Sequence, residues 1–238
     1  MSHFYQALSA REAVDLFACF AHTVLLAAIC GENSAADWGS AAGLCLIFMQ
    51  LVAIVAHAFY FKLLREKNAK FEIKRNPYKW LEYAISATLG TLSVFLSASE
   101  GAGVDTNTLV LLITLSVTIQ TVGYTLDKVS NGKEAWLGEA SSVELLQWAS
   151  AAVGQSADFY VVYSAVYGRS DWDIITQNWH YIPYVLGWSA FGVWNLLVLL
   201  TIEQEEASDK NITIELVYSI LSLIAKAFVF GSTGHFLD

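Results

Sequence analysis

Apolar residues along the chain fall into seven blocks, near residues 14–31, 40–62, 78–98, 107–127, 143–168, 181–201 and 212–233, separated by short polar segments. Each block is close to the ~20 residues a helix needs to cross a hydrocarbon layer about 30 Å thick. The pattern predicts an all-α membrane protein, a seven-transmembrane-helix bundle. The connecting segments leave no room for a soluble domain, so residues 1–238 are expected to form one unit.

Two blocks are not uniformly apolar. In the seventh, SILSLIAKAFVFGST, the run surrounding Lys226 is otherwise free of charge. Glu215, Ser219, Ser222 and Thr233 stand at −11, −7, −4 and +7 from that lysine, and at about 100° per residue these positions share one face. The third block follows Asn76-Pro77, a suitable N-cap and N1 pair. There Glu82, Ser86, Ser93 and Glu100 stand at 0, +4, +11 and +18, again on one face. An ammonium in a membrane segment points by default to function and requires a partner. Glu82 is the only carboxylate of the third block away from its ends, so the two stripes are expected to face each other. The plainer reading is an ion pair that only locks two helices together. One geometric difficulty follows from the spacing. Glu82 lies about 8 Å along its helix, whereas Lys226 lies about 22 Å along from Asn211. Either the seventh helix protrudes or the third begins deeper.

Composition agrees with burial in lipid. Hydrophobic residues make up 55% of the chain, the mean hydropathy is +0.47, and only 15% of residues are charged, against about 25% for a soluble domain. The basic residues cluster in KLLREKNAKFEIKRNPYK, residues 62–79, and loops rich in Lys and Arg stay in the cytoplasm. With seven spans this puts the N-terminus in the cytoplasm and the C-terminus outside. Arg11, Lys128, Lys133 and Lys210 fall on the same side as the cluster, and Arg169 alone falls opposite. The outer segments GENSAADWGS and SEGAGVDTN carry acids and no bases. Asn211-Ile-Thr213 matches a glycosylation sequon but would face the cytoplasm, so it is expected to be unmodified. The N-terminus lacks the basic start of a cleavable signal peptide. The basic cluster has a membrane explanation, so nucleic-acid binding has no support. Cys19, Cys30 and Cys45 show no metal or pairing pattern. No phosphate-binding glycine loop, metal cluster or nucleophile with a base supports an enzyme.

Three segments carry a family resemblance. Ser222-Leu-Ile-Ala-Lys226 resembles the retinal-attachment segment of microbial rhodopsins. Lys79-Trp80-Leu-Glu82-Tyr83-Ala-Ile-Ser86 resembles their counterion segment, and Leu186-Gly-Trp188-Ser-Ala-Phe191-Gly192-Val-Trp194-Asn195 resembles their aromatic clamp. Within that superfamily the chain is similar to the heliorhodopsins. That branch has a glutamate counterion, a serine four residues before the lysine, histidines on the first two helices and an inverted orientation. Glu82, Ser222, His22 and His57 match, and the orientation was read from charge independently. The resemblance implies a photoreceptor with all-trans retinal bound to Lys226 as a Schiff base and Glu82 as counterion. Ser222 and Ser86 would hydrogen-bond near that pair, and Tyr83, Trp188 and Phe191 would contact the chromophore. His22, which shares a stripe with Asp15 and Arg11, and His57, which shares a face with Gln50, would accept a proton beside a polar cavity. Besides the lipid bilayer, the implied partners are an intracellular signalling protein and a second copy of the chain. The first outer loop, about 32–39, is too short for the family's long hairpin associated with the dimer contact.

The acids that proton-pumping relatives carry are replaced here by Ser93 and Ser222, which argues against an outward pump. Other acids lie at membrane depth. Asp158 interrupts the fifth block, and Glu100, Glu203 and Glu215 sit near block ends, where reaching the interface is the plainer reading. If they lined a route with Glu82, the protein would be a light-gated proton channel or transporter. A non-photoactive seven-helix transporter is the remaining alternative.

Overall fold

The structure, a computed structural model, describes residues 10–32, 40–66, 78–99, 103–132, 142–201 and 207–234. All its regular elements are helices: α1 (Ala10–Glu32), α2 (Ala41–Glu66), α3 (Tyr78–Ala98), α4 (Thr106–Gly132), α5 (Ser142–Tyr167), α6 (Ile174–Thr201) and α7 (Ala207–Gly234). Consecutive helices pack side by side, α7 returns to α1 to close the ring, and α3 also touches α5 and α7. The third helix is therefore central. In its spanning window 67% of residues are buried, against 22% for α1 and α4.

The bundle hides polar groups and shows apolar ones. Phe17, Phe20, Val55, Leu81, Leu146 and Val153 are exposed, while Gln50, Ser86, Ser93, Asp158 and Lys226 are buried. Lipid solvates the outer side chains, and helices satisfy their backbone groups internally, which is what makes such a surface stable in hydrocarbon. Six helices are apolar enough to span by composition alone. The exception is α5, diluted by Gln147, Gln155, Asp158 and four serines; Glu144, Asp158, Val162 and Val166 on it are nonetheless buried in the bundle.

The third block coincides with α3. The sixth helix begins seven residues earlier than its apolar pattern suggests, because Thr176, Gln177, Asn178 and His180 interrupt the apolar run in its first two turns. Gln177 and His180 point inward there, and Asp173 caps the helix, accepting a hydrogen bond from the Thr176 amide at 2.7 Å. Asp105 does the same for α4, accepting from the Thr108 amide at 3.1 Å and its hydroxyl at 3.0 Å. These donors favour the ionised form and hold both carboxyls below the usual carboxylate range. The expected cap Asn76-Pro77, most of the basic loop and the first outer loop lie outside the described residues.

The depth mismatch between Glu82 and Lys226 is resolved by α7. It starts at Ala207, and Tyr218, eleven residues in, lies level with the first turn of α3. The Tyr83 hydroxyl donates to the Tyr218 carbonyl at 3.3 Å, and Lys79 Nζ lies 4.0 Å from the Tyr218 ring centre. The N-terminal end of α7 thus extends about 10 Å beyond that of α3. Asn211–Thr213 falls inside this extension.

Two apolar clusters meet near the middle of the bundle. The larger includes Leu46, Met49, Val94, Trp188, Ala225 and Val229; the smaller is built on Trp80, Tyr83, Val198, Ile214 and Tyr218, and Phe191 packs against both. Beside this seam α6 and α7 approach closely at Gly187. A Cβ added there would stand 3.0 Å from the Ala225 backbone and 3.3 Å from its side chain. Gly187→Leu should therefore force the helices apart and cost about 1–3 kcal/mol, the usual range for overpacking. Thermal unfolding in detergent measures this, and an unchanged midpoint would contradict the close approach.

Candidate functional site

The polar stripes of α3 and α7 do face each other. Lys226 Nζ donates to Glu82 Oε1 at 2.8 Å and to Ser222 Oγ at 2.5 Å. The two charged side chains are 1% and 2% exposed, so the pair is shut off from solvent and its charges are only weakly screened. Ser222, one turn before the lysine, shares its face and supplies a second oxygen. Ser86, one turn beyond Glu82, is fully buried, but its hydroxyl has no partner among the described residues.

Aromatic rings enclose the pair. The Tyr83 ring lies 5.6 Å from Lys226 Nζ and meets Phe191 edge-on at 5.2 Å; Trp188 lies 5.8 Å from Phe191. The sequence pattern had singled out these three rings and missed Trp80 and Tyr218, which complete the wall on the Glu82 side. Their signal was available: Trp80 sits two residues before the glutamate, and Tyr218 lies two turns before the lysine. Trp80 packs onto α4 at Gly123, where any Cβ would lie 2.3 Å from the indole.

Beyond Tyr83, Trp188 and Phe191 a cavity of about 230 Å³ extends between α3, α4, α5 and α6, reaching Gly123, Gln155 and Phe159. It is larger than the ~150 Å³ that admits a benzene ring. Trp148 bridges its rim, donating from Nε1 to the Gly192 carbonyl at 3.0 Å. Trp188 Nε1 is buried without a partner among the described residues. An amine at one end, an aromatic slot and an apolar chamber beyond it fit a long, flat, unsaturated aldehyde.

A second polar group lies between α1 and α2. His22 Nδ1 is 2.8 Å from Gln50 Oε1, and His57 Nδ1 is 3.0 Å from Asp15 Oδ1. The two imidazoles stack at 5.6 Å. Stripes on single helices had suggested His22 with Asp15 and His57 with Gln50, but the partners are exchanged across the helix pair. Both Nε2 atoms are buried without a partner among the described residues. Arg11 belongs to α1, but its side chain is not described.

Asp158 is buried on α5, bonded not to Glu82 but to Thr91, Tyr184 and Gln155. Of the other acids proposed from sequence, Glu100 and Glu203 lie outside the described residues, as does the side chain of Glu215. No cluster of His, Cys, Asp or Glu suited to a metal occurs among the described residues.

Seven helices, a lipid-facing apolar surface and an internal lysine–glutamate pair walled by aromatic rings define a membrane bundle of the rhodopsin type. A family model described as Heliorhodopsin matches residues 29–230, and the chain belongs to that family. It is accordingly a multi-pass membrane protein and a retinal-binding photoreceptor of the rhodopsin kind. No curated protein matches the chain.

Removing either member of a buried ion pair strands the other charge, a loss of about 3–5 kcal/mol, whereas replacing both by apolar groups is often near neutral. For the retinal-free protein, Lys226→Met and Glu82→Leu should each lower the unfolding midpoint strongly. The double variant should recover most of the loss. Additive losses in the double variant would mean that the two groups do not interact.

Proposed function

We propose that this protein is a light sensor in which all-trans retinal is joined to Lys226 as a Schiff base, with Glu82 as the counterion. The contact that carries the reading is the 2.8 Å approach of Lys226 Nζ to Glu82 Oε1 inside an aromatic enclosure. Bound retinal supplies light absorption and a change of shape on excitation; the protein supplies geometry and electrostatics. Glu82 keeps a positive charge at the position 226 nitrogen and hinders loss of its proton. Ser222 accepts a hydrogen bond from the same nitrogen and limits its rotation. The orphaned Ser86 hydroxyl has room to serve Glu82 or the chromophore. Tyr83, Trp188 and Phe191 confine the polyene, and the cavity beyond them receives the ring end.

His22 and His57 are the groups we assign to take up the proton released after excitation. Each ring has one nitrogen without a partner among the described residues, where a proton can be held. The basic loop 62–79 supports a cytoplasmic N-terminus and an external C-terminus. An intracellular protein that reads the altered bundle is the partner this function requires.

Adding all-trans retinal to the expressed apoprotein should produce a visible absorption band. Lys226→Ala should abolish it completely. Glu82→Gln should move it to longer wavelength, because the ground-state charge at the nitrogen loses its stabilising carboxylate. A band that survives in Lys226→Ala would refute the attachment site.

The competing reading, light-gated proton passage, has the buried Asp158 in its favour. The sensor reading predicts no photocurrent in illuminated, voltage-clamped cells, at any voltage. A current that reverses with the proton gradient and is lost in Asp158→Asn would replace the sensor with the conducting reading.

A further inference from the structure

Asp158 has no role in the site around Lys226. Its partner Thr91 lies nine residues beyond Glu82 on α3, about 13 Å along the helix. Its side chain is fully enclosed, the residue being 1% exposed. No cation is among its partners in the described residues; Thr91 Oγ1 stands 3.4 Å from Oδ2, Tyr184 OH 3.3 Å and Gln155 Nε2 3.4 Å. The other oxygen, Oδ1, is buried with no partner among the described residues. Thr91 and Tyr184 also touch each other, at 3.1 Å. Three oxygens from α3, α5 and α6 thus form a closed triangle.

Protons and distances together indicate the state of that triangle. Threonine and tyrosine bring one hydroxyl proton each. Were Asp158 ionised, two protons would serve three edges, one edge would stay empty, and any hydroxyl turned toward Oδ2 would make a charge-assisted bond to it. Hydroxyls donating to a carboxylate draw in to about 2.5–2.7 Å, and the edges to Asp158 are far longer. A third proton, on Asp158 itself, fills every edge and lets each oxygen donate once around the ring. It also avoids an enclosed carboxylate with no opposing charge, a state proteins escape by neutralising the group.

The triangle also touches the cavity. Gln155, which donates to Asp158, lines the cavity together with Phe159, whose ring meets Tyr184 edge-on at 5.5 Å. We propose that Asp158, Tyr184 and Thr91 form a second proton-holding centre. In it Asp158 is a neutral carboxylic acid whose hydrogen bonds change when the neighbouring cavity changes shape. Any proton shift runs within the ring of three oxygens, from one hydroxyl to the next, and requires no outside donor. Asp158 acts here as a positioning residue, tying α3, α5 and α6 together. The coupling to light, though not the neutral acid itself, rests on the reading of the cavity as the retinal chamber.

Infrared spectroscopy tests both halves separately. In retinal-free protein a carboxylic-acid C=O band that shifts in heavy water should be present. It should vanish in Asp158→Asn, reappear at a new frequency in Asp158→Glu, and move in Tyr184→Phe and Thr91→Val. If Asp158→Asn removes only a carboxylate band, or if neither Tyr184→Phe nor Thr91→Val moves the acid band, the neutral centre is refuted; the latter two variants serve even if Asp158→Asn does not fold. With retinal bound, the light-minus-dark spectrum should contain the same acid band as a paired loss and gain. A coloured protein without that pair would refute the coupling. A protein that stays colourless would contradict the proposed chromophore while leaving the acid-band result intact.

Discussion

A lysine and a glutamate held 2.8 Å apart, out of reach of water, set the terms for the rest of this molecule. Either charge alone at that depth would be too costly to keep. Together they require α3 and α7 to lie against each other with their polar faces matched in depth. That requirement fits the extension of α7 past α3 at its N-terminal end and the central place of α3 in the bundle, while Gly187 lets α6 close against α7 beside them. Packing and electrostatics are one problem here: the helices that bury the pair also build the slot beside it.

Around the pair the bundle divides its polar groups by place. Histidines 22 and 57 sit with Gln50 and Asp15 between α1 and α2. Asp158 sits with Thr91 and Tyr184 between α3, α5 and α6. Apolar side chains such as Met49, Val94 and Val229 fill the space between the helices. Each polar group therefore meets a small, fixed set of partners, so the light-driven shape change of a ligand in the slot would be felt as altered hydrogen bonds rather than as general softening.

Much of this was legible in the sequence, for definite reasons. Seven helices follow from apolar block length, and the membership of Lys226, Ser222 and Glu82 in one site follows from helical spacing plus the cost of an isolated charge. What the pattern did not give is whatever depends on register between helices. The histidines were assigned to the right stripes, but their partners lie on the neighbouring helix. The start of α6 was missed because Gln177 and His180 are polar yet point inward. Thr91 and Tyr184 carried no signal, since a threonine and a tyrosine in a membrane helix are ordinary until a third oxygen, from Asp158, is found between them. Glu100 and Glu203, together with the Glu215 side chain, fall outside the described residues.

The central claim is that the nitrogen at position 226 carries the chromophore. Borohydride reduction of the retinal-loaded protein fixes an imine irreversibly, and peptide mass spectrometry then locates it. The account predicts a single retinyl adduct on the α7 peptide, at Lys226. An adduct on another lysine such as Lys79, or none on a protein that shows the visible band, would contradict it.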